Sequence, residues 1–495
     1  MSATLSKSRY LAGCQCPRRL WLRWHMPALA AAPGAAQTRR LDGGSEIGRR
    51  AHALFPGGVL VEEDALHHRE AVERTRALLA DGNVAAIFEA AFVHAGVRIR
   101  ADVLERLADG AWGLREVKSA GRVKDEHLHD VAVQRFVLEG SGLRVPSVEV
   151  IHVNSAYVRG DGEIDWRRFF RRQDVTAAVE GLGADVPARV QFLHAVLALE
   201  ASPAIEPSRH CGTPHACEFW NHCTRDKPAD WVFYLPGPDR FEAFRAAGIE
   251  RIADIPDGFP LSGRQERARA VLFAGREFVS TDLGAALAPA GPPACYLDFE
   301  TMNPAVPVYP GTRPYEHIPF QWSLHHLDAA GILEHREFLA GGRVDPRREL
   351  VAMLLDAAGD RPEPILVYSA FEARTLDALA AAVPERATAL AALRARLVDL
   401  LPIVRGHVYH QAFKGSFSLK AVAPALVPDL GYEDLDDIAG GDDAASAFAA
   451  IVQGQVSDAE EARIRSALRV YCERDTLALV ELHRALRERA GGVGA

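Results

Sequence analysis

The chain has 495 residues, 48% hydrophobic and 25% charged, with a formal net charge of −9. That length predicts two or three domains with ordinary cores, the acidic balance argues against a broadly basic nucleic-acid-coating protein, and no apolar run approaches the roughly 20 residues of a membrane span. Seven cysteines, an odd count spread over a long chain, point to metal ligation or burial rather than a disulfide framework, and with no apolar secretory stretch at the N-terminus the chain is expected to be soluble and cytoplasmic.

Residues 5–26 read as a helix interrupted at Cys16-Pro17, since proline cannot donate to a continuing helical ladder. An Ala/Gly/Pro-rich loop is expected to about residue 44, followed by helical patterns at 45–54 and 66–81. The stretch 86–119 is strand-rich, with VRIRADVLERL and WGLREVKS flanking Ala108-Asp109-Gly110 as a hairpin turn. A helix (124–139), a strand (146–154) and a helical stretch (170–200) lead to the cysteine group Cys211, Cys217 and Cys223. Residues 227–290 read as a connector of short helices, in which FEAFRAAGIERIADIPDG carries a faint helix-hairpin-helix pattern against the plainer reading of a packed linker. From Cys295 three strands (295–300, 319–327, 332–339) precede a helix, a strand (364–369), a helix and a long C-terminal helix (457–489), the order of an α/β layer domain.

Alternation along a strand puts Glu116 and Lys118 on one face, and Asp102 on the paired strand can join them. Two carboxylates and an ammonium at one point suit a magnesium or manganese ion and phosphodiester hydrolysis. Arg18, Arg19, Arg23, Arg39 and Arg40 offer a local basic face for phosphate. On Gly48 and His52 in GRRAH, Glu89 in IFEAAF, Asp102, the triplet Glu116-Val117-Lys118 and Gln134, the chain resembles PD-(D/E)xK nucleases of the RecB/AddB-like kind. The resemblance implies His52, Asp102 and Glu116 as metal ligands, Lys118 as catalytic, and Gln134 as positioning substrate or the lysine. Leu138 stands where that family usually carries an aromatic.

The iron-sulfur members take one cysteine from just before an N-terminal Pro-Arg and three from beyond the nuclease core. Cys16-Pro17-Arg18 with Cys211, Cys217 and Cys223 matches, which implies a 4Fe-4S cluster closing a long loop, with Cys14 the spare and alternative thiol. Zinc is the rival occupant. Arg18 and Arg19 are expected to contact substrate.

In CYLDFET, Asp298 and Glu300 share one strand face, and a buried carboxylate pair is costly without a cation. Tyr471 and Asp475 lie four apart on the C-terminal helix and so share a face. This half resembles ribonuclease-H-like DEDD exonucleases, where an Asp-x-Glu strand, a later helical acid and a Tyr-x-x-x-Asp helix assemble one site. The resemblance implies Asp298, Glu300 and Asp475 as metal ligands, Glu372 or Asp399 as the middle acid, Tyr471 as the residue orienting water and Lys420 as a phosphate contact. Cys295 and Cys472 read as buried small side chains.

The expectation is an α/β multi-domain enzyme. Residues 1–226 form a PD-(D/E)xK restriction-endonuclease-like core with its cysteine clasp, 227–290 the connector, and 291–495 a ribonuclease-H-like 3′–5′ exonuclease. Its substrate is single-stranded or frayed DNA, with RNA as an alternative, in repair, recombination or defence beside a helicase or similar partner. The alternatives are that only the C-terminal site cuts while the iron-sulfur half clamps DNA, or that the protein binds nucleic acid and senses redox state without cutting.

Overall fold

The computed structural model describes residues 4–64, 66–428, 430–431, 438 and 440–492, without the side chains of residues 35, 36, 40 and 42, so the Arg40 side chain lies outside the described residues. The chain is a mixed α/β protein of two units, Met1–Asp226 with Pro304–Tyr315, and Lys227–Asn303 with Glu316–Ala495. Among the described residues no helix is long and apolar enough to cross a membrane.

In the first unit, β1 (Leu5–Ser6) runs into α1 (Lys7–Gln15), whose first turn is capped by Ser6 Oγ accepting from Arg9 N. Pro17 opens α2 (Pro17–His25), because its fixed φ suits a first turn and its missing N–H ends the previous one. The loop expected to residue 44 is instead partly helix: α3 (Ala35–Ala51) absorbs it, its alanines, glutamine and arginines outweighing the roughly 1 kcal/mol that each of Gly43 and Gly44 costs a helix. After β2 (Val59–Leu60) and α4 (His68–Ala80) come the antiparallel strands β3 (Ala86–His94), β4 (Val97–Arg106) and β5 (Trp112–Lys118). Gly110, at φ 78°, makes the turn between the last two. The crossover helix α5 (Asp125–Gly140) delivers β6 (Ser147–Val153) parallel to β5. Then come α6 (Trp166–Phe169), β7 (Phe170–Asp174), α7 (Thr176–Gly183), α8 (Val186–Leu197) and α9 (Trp220–Thr224). Residues 170–174, expected in a helix, form an edge strand: Phe170 is buried while the four polar residues after it face solvent, and their backbone satisfies the open side of β6.

The sheet order is β2-β3-β4-β5-β6-β7, with β1 parallel to the start of β4. Since β3 lines one edge of β4, β1 and β5 share the other edge. Alternation divides the core. Ile87, Leu104, Leu114 and Val148 pack with Val131 and Leu138 of α5, whereas Phe88, Val103, Val117 and Ile151 pack with Ile47 and Ala51 of α3. Even-numbered Asp102, Glu116 and Lys118 therefore belong to the α5 face.

In the second unit, α10 (Phe241–Ala246), α11 (Gly263–Ala274), β8 (Phe278–Val279) and α12 (Leu283–Leu287) form the N-terminal part. The faint helix-hairpin-helix pattern yields one short helix, a turn at Gly248 (φ 69°) and then only a 3-10 turn at Ile252–Asp254, too short to be the second helix. The meander β9 (Ala294–Met302), β10 (Ile318–Leu327) and β11 (Leu333–Leu339) is antiparallel. It continues through α13 (Arg347–Ala358), β12 (Ile365–Val367), α14 (Phe371–Ala382), α15 (Ala387–Ala395), β13 (Leu397–Asp399), α16 (Leu400–His407) and β14 (Val408–Tyr409). Last come α17 (Leu419–Leu426), α18 (Gly441–Val452) and α19 (Asp458–Gly492). The sheet order is β11-β10-β9-β12-β13, with β12 parallel to both its neighbours. On one face Cys295, Leu297, Phe299 and Trp322 pack against Leu350 and Leu354 of α13. On the other, α19 lies over polar side chains, with Gln321 Nε2 donating to Leu468 O (2.9 Å) and Tyr296 Oη 2.9 Å from His483 Nδ1.

Candidate functional sites

In the first unit β4, β5 and α5 bring Asp102, Glu116, Lys118 and Gln134 together, as the alternation of WGLREVKS implies. Lys118 Nζ lies 2.6 Å from Glu116 Oε1 and 2.5 Å from Asp130 Oδ2. Gln134 Nε2 donates to Glu116 Oε2 (2.7 Å) and Asp130 Oδ1 (3.0 Å). Asp102 Oδ2 accepts from Val117 N at 2.7 Å. Two members escape the sequence reading. Asp130 sits one helical turn before Gln134, an i,i+4 spacing visible in DVAVQ. Lys7, delivered by β1, places Nζ 2.8 Å from Glu116 Oε1 and 3.4 Å from Asp130 Oδ1; nothing near it in sequence points 109 residues ahead.

The charges are unequally settled. Burial and the neighbouring Glu116 push Asp102 up to about 7. Burial would raise Glu116 as well, but Lys118 and Lys7 outweigh it and hold that carboxyl well below its usual range. Both lysines are raised despite burial, by Asp130 and Glu116. Gln134 Oε1 is buried with no hydrogen-bond partner among the described residues.

His52 is not drawn into this network. It stacks on Phe88 (centroids 3.8 Å apart), and burial lowers its pKa against the pull of Glu89. Glu89, between the Phe88–Val103 and Ala90–Ala101 pairs of β3 and β4, has φ 56° and pairs with Arg100 at 3.0 Å. A left-handed non-glycine residue inside a strand is strained, and such strain gathers at working sites.

The cysteines separate into a quartet and a spare. Cys211 senses the charges of Cys217, Cys16 and Cys223 and is pushed up to about 11, mainly by burial. Cys14 is paired with Arg189 and Tyr10 instead. Among the described residues two trios offer ligand atoms within 4.8 Å of one another: His325, His335 and Glu473, and Asp298, Glu300 and Cys472. Arg18 and Arg19, expected on substrate, are struts of this clasp. Arg19 is 7% exposed and paired with Glu218 at 2.8 Å, and Arg18 Nη1 donates to Ile205 O (3.1 Å). Arg23 shares Glu218. A guanidinium buried against a carboxylate is not available to phosphate, and this withdraws Arg19 in particular from substrate binding.

In the second unit β9, α14 and α19 gather four acids. Burial first, then Glu300, Asp475 and Glu372, push Asp298 well above the carboxylate range. Burial and Asp475 raise Glu300 to about 8, against Lys420. Glu372 is pushed up to about 7 by burial, and its Oε2 is buried without a hydrogen-bond partner among the described residues. Of the two middle-acid candidates it is Glu372 whose charge reaches Asp298 and Glu300; Asp399 caps α16 by accepting from Leu401 N (2.9 Å). Tyr471 is buried beside Asp475, which with burial raises its hydroxyl, and Lys420 Nζ lies 4.7 Å from its ring centroid. Cys472, expected to be inert, lines the site with Sγ 3.8 Å from Asp298 Oδ2, whereas Cys295 is plain core. Its position in YCERD, three residues before Asp475, was the available signal.

A family model described as a domain of unknown function (DUF2779) matches residues 295–418. That span carries Asp298, Glu300 and Glu372 and stops short of Lys420 and α19. No curated protein matches the chain.

Proposed function

We propose that the protein is a metal-dependent nuclease with two hydrolytic sites, an iron-sulfur PD-(D/E)xK nuclease of the RecB/AddB-like kind in the first unit and a ribonuclease-H-like DEDD exonuclease in the second. The observation that carries the reading is the acid cluster of the second unit. Asp298, Glu300, Glu372 and Asp475 come from three separate elements into one buried place where, beyond burial, Glu300, Asp475 and Glu372 raise Asp298, and Asp475 and Glu372 raise Glu300. Uncompensated buried carboxylates are expensive, and a site of oxygen donors suits hard divalent cations. Magnesium or manganese held there would supply the Lewis acidity and activated water of phosphodiester hydrolysis.

The chain's own residues have separable tasks. In the second unit Tyr471 orients water beside Asp475, and Lys420 offsets phosphate charge. In the first, Lys118 is the catalytic cation, with Asp102 and Glu116 as metal ligands and His52, stacked on Phe88, as the further ligand that the resemblance implies. Cys16, Cys211, Cys217 and Cys223 would hold the cluster. An all-thiolate set suits a 4Fe-4S cubane, with a tetrahedral zinc ion as the rival occupant. The substrate is DNA with a single-stranded or frayed end, RNA being the alternative, in a repair or defence setting.

The test is cleavage of end-labelled single- and double-stranded DNA and RNA with manganese by anaerobically purified wild type, Lys118→Ala and Asp298→Ala. Each variant is expected to lose a different product pattern by 10²-fold or more. Wild type without turnover under any divalent ion would overturn the reading. One observation favours a narrower version, in which only the second unit cuts and the first clamps DNA: Glu116 is already neutralised by two lysines, whereas Lys420 and Arg374 leave Glu300 and Glu372 raised. Under that version Lys118→Ala leaves all cleavage intact.

A further inference from the structure

On the face of the second sheet covered by α19, His325 of β10 and His335 of β11 are cross-strand partners, their ring centroids 4.5 Å apart. Glu473 of α19 joins them, and one ligand atom from each of the three lies within 4.8 Å of the others. One assignment of protons satisfies every hydrogen bond of the group. Thr476 Oγ1 donates back to Glu473 O (3.0 Å), as helical threonines do, so its lone pairs accept from Ser323 Oγ (2.7 Å) and from His325 Nδ1 (2.9 Å). Ser323, its own proton spent on Thr476, accepts from His335 Nε2 at 2.9 Å. Each ring is thereby left with one bare lone pair, on His325 Nε2 and His335 Nδ1.

His335 Nδ1 then faces Glu473 Oε1 at 3.6 Å. Two acceptors confront each other at a separation too long for a hydrogen bond. Metal–ligand bonds of about 2.1 Å at a tetrahedral angle set nitrogen and oxygen roughly 3.4 Å apart, close to what is found. His325 is 4% exposed, and burial first, then His335, keeps its pKa down at about 4, so it presents a neutral nitrogen. Glu473, 49% exposed, leaves the place open to solvent.

We infer that His325, His335 and Glu473 form a binding site for a divalent first-row ion that favours imidazole, zinc foremost, separate from the carboxylate site around Asp298. Seating the ion requires each imidazole to turn about Cβ–Cγ, a soft torsion. Ser323 and Thr476 are the supporting shell that sets the tautomers. Three protein ligands leave a coordination position open, as in sites that bind water or a substrate oxygen. Thr476 follows Asp475 directly and Ser323 stands opposite Asp298, so the ion pins α19 to β10 and β11 where the acid cluster is assembled. The inference stands without either nuclease reading, because its readout is bound metal.

The full-length protein, purified anaerobically, is dialysed against micromolar zinc with millimolar magnesium present to occupy oxygen sites, and zinc and iron are counted by mass spectrometry. Wild type and Asp298→Asn are expected to retain a zinc that His335→Gln and Glu473→Gln lose, with iron unchanged. Glu473 is exposed, so its variant folds whatever happens at His335. Equal zinc in wild type and Glu473→Gln would overturn the proposal and leave His335 and Glu473 as neighbours that hold no ion.

Discussion

Lys7 and Glu300 show how a single side chain sets what each site can bind. Lys7 neutralises Glu116 and Asp130 from a stretch that carries no motif, and it competes with any divalent ion for the same oxygens. Lys7→Met is expected to tighten manganese about tenfold, the equivalent of ~1.4 kcal/mol, as read from the free-ion electron paramagnetic resonance signal at pH 8.5, where Asp102 is ionised. Unchanged affinity, with binding still lost in Asp102→Asn, would make Lys7 purely structural. Glu300 works in the opposite sense, since its folded pKa of about 8 lies above its ordinary value of 4.5. The folded state therefore holds more protons than the unfolded one in between, and the stability this group contributes is complete below about 4.5 and lost as pH rises through 8. The metal-free protein should lose melting temperature from pH 6 to 8, and magnesium should restore more at pH 8 than at pH 6. Asp298→Asn should raise the metal-free melting temperature at pH 8, by about 2–4 °C for each kcal/mol of repulsion relieved, and shrink the magnesium response. An Asp298→Asn curve that overlays wild type would mean that the acids do not repel. Pairs such as Glu116 with Lys118, or Tyr471 with Asp475, were legible because strand and helix periods place them. Lys7 was not, because no period links residues 109 apart.

At the scale of elements, α1 and α2 act as a pair of hooks. Gln15 Nε2 donates to the carbonyls of His210 (2.7 Å) and His215 (2.6 Å), and Trp21 Nε1 donates to Leu199 O (3.0 Å), so both helices grip the segment that carries the three later cysteines. Cys16 sits at the joint between them, where Pro17 breaks the helix, and this joint was readable from the Cys-Pro pair alone. What was not readable is the use of the arginines: a run such as PRRLWLR is basic on paper, yet Arg19 and Arg23 turn inward to Glu218. Cys16→Ser, Cys211→Ser, Cys217→Ser and Cys223→Ser should each abolish the brown colour and iron content of anaerobically purified protein, while Cys14→Ser keeps both. Arg19→Ala should cost about 2 kcal/mol, since Glu218 loses one charged hydrogen-bond partner and keeps Arg23, and lower the unfolding midpoint in urea with iron as the second readout. Iron retained in Cys16→Ser but lost in Cys14→Ser would exchange the fourth ligand. β7 defied propensity because FRRQD completes a sheet edge, a partner invisible from within the segment.

For the molecule as a whole, the chain order and the units do not coincide. The first unit comprises Met1–Asp226 together with Pro304–Tyr315, residues of the β9–β10 connection. Arg159 N donates to Thr312 O (3.0 Å), Gly311 N donates back to Arg159 O (2.8 Å), and Arg159 Nη1 reaches Pro307 O (2.7 Å). Ala305, Val306 and Tyr315 pack against the cluster of Phe88, Val117, Tyr157 and Phe169. A segment of mixed composition flanked by strands of another sheet gives no local sign that its partners lie 150 residues earlier, which is why this part of the architecture escaped the sequence reading. Removing it exposes apolar surface of that cluster and strips the Arg159 backbone of its partners, two costs that add because different groups bear them. A fragment of residues 1–226 is therefore expected to bind hydrophobic dye and to unfold at a lower urea concentration than the same unit within the full chain, followed by hydrogen exchange at Leu114 and Val150. A synthetic peptide of residues 304–315 added to the fragment should restore part of the loss in a saturable way. If the fragment alone matches the full chain in exchange protection, the segment is an ornament of the first unit and not one of its parts.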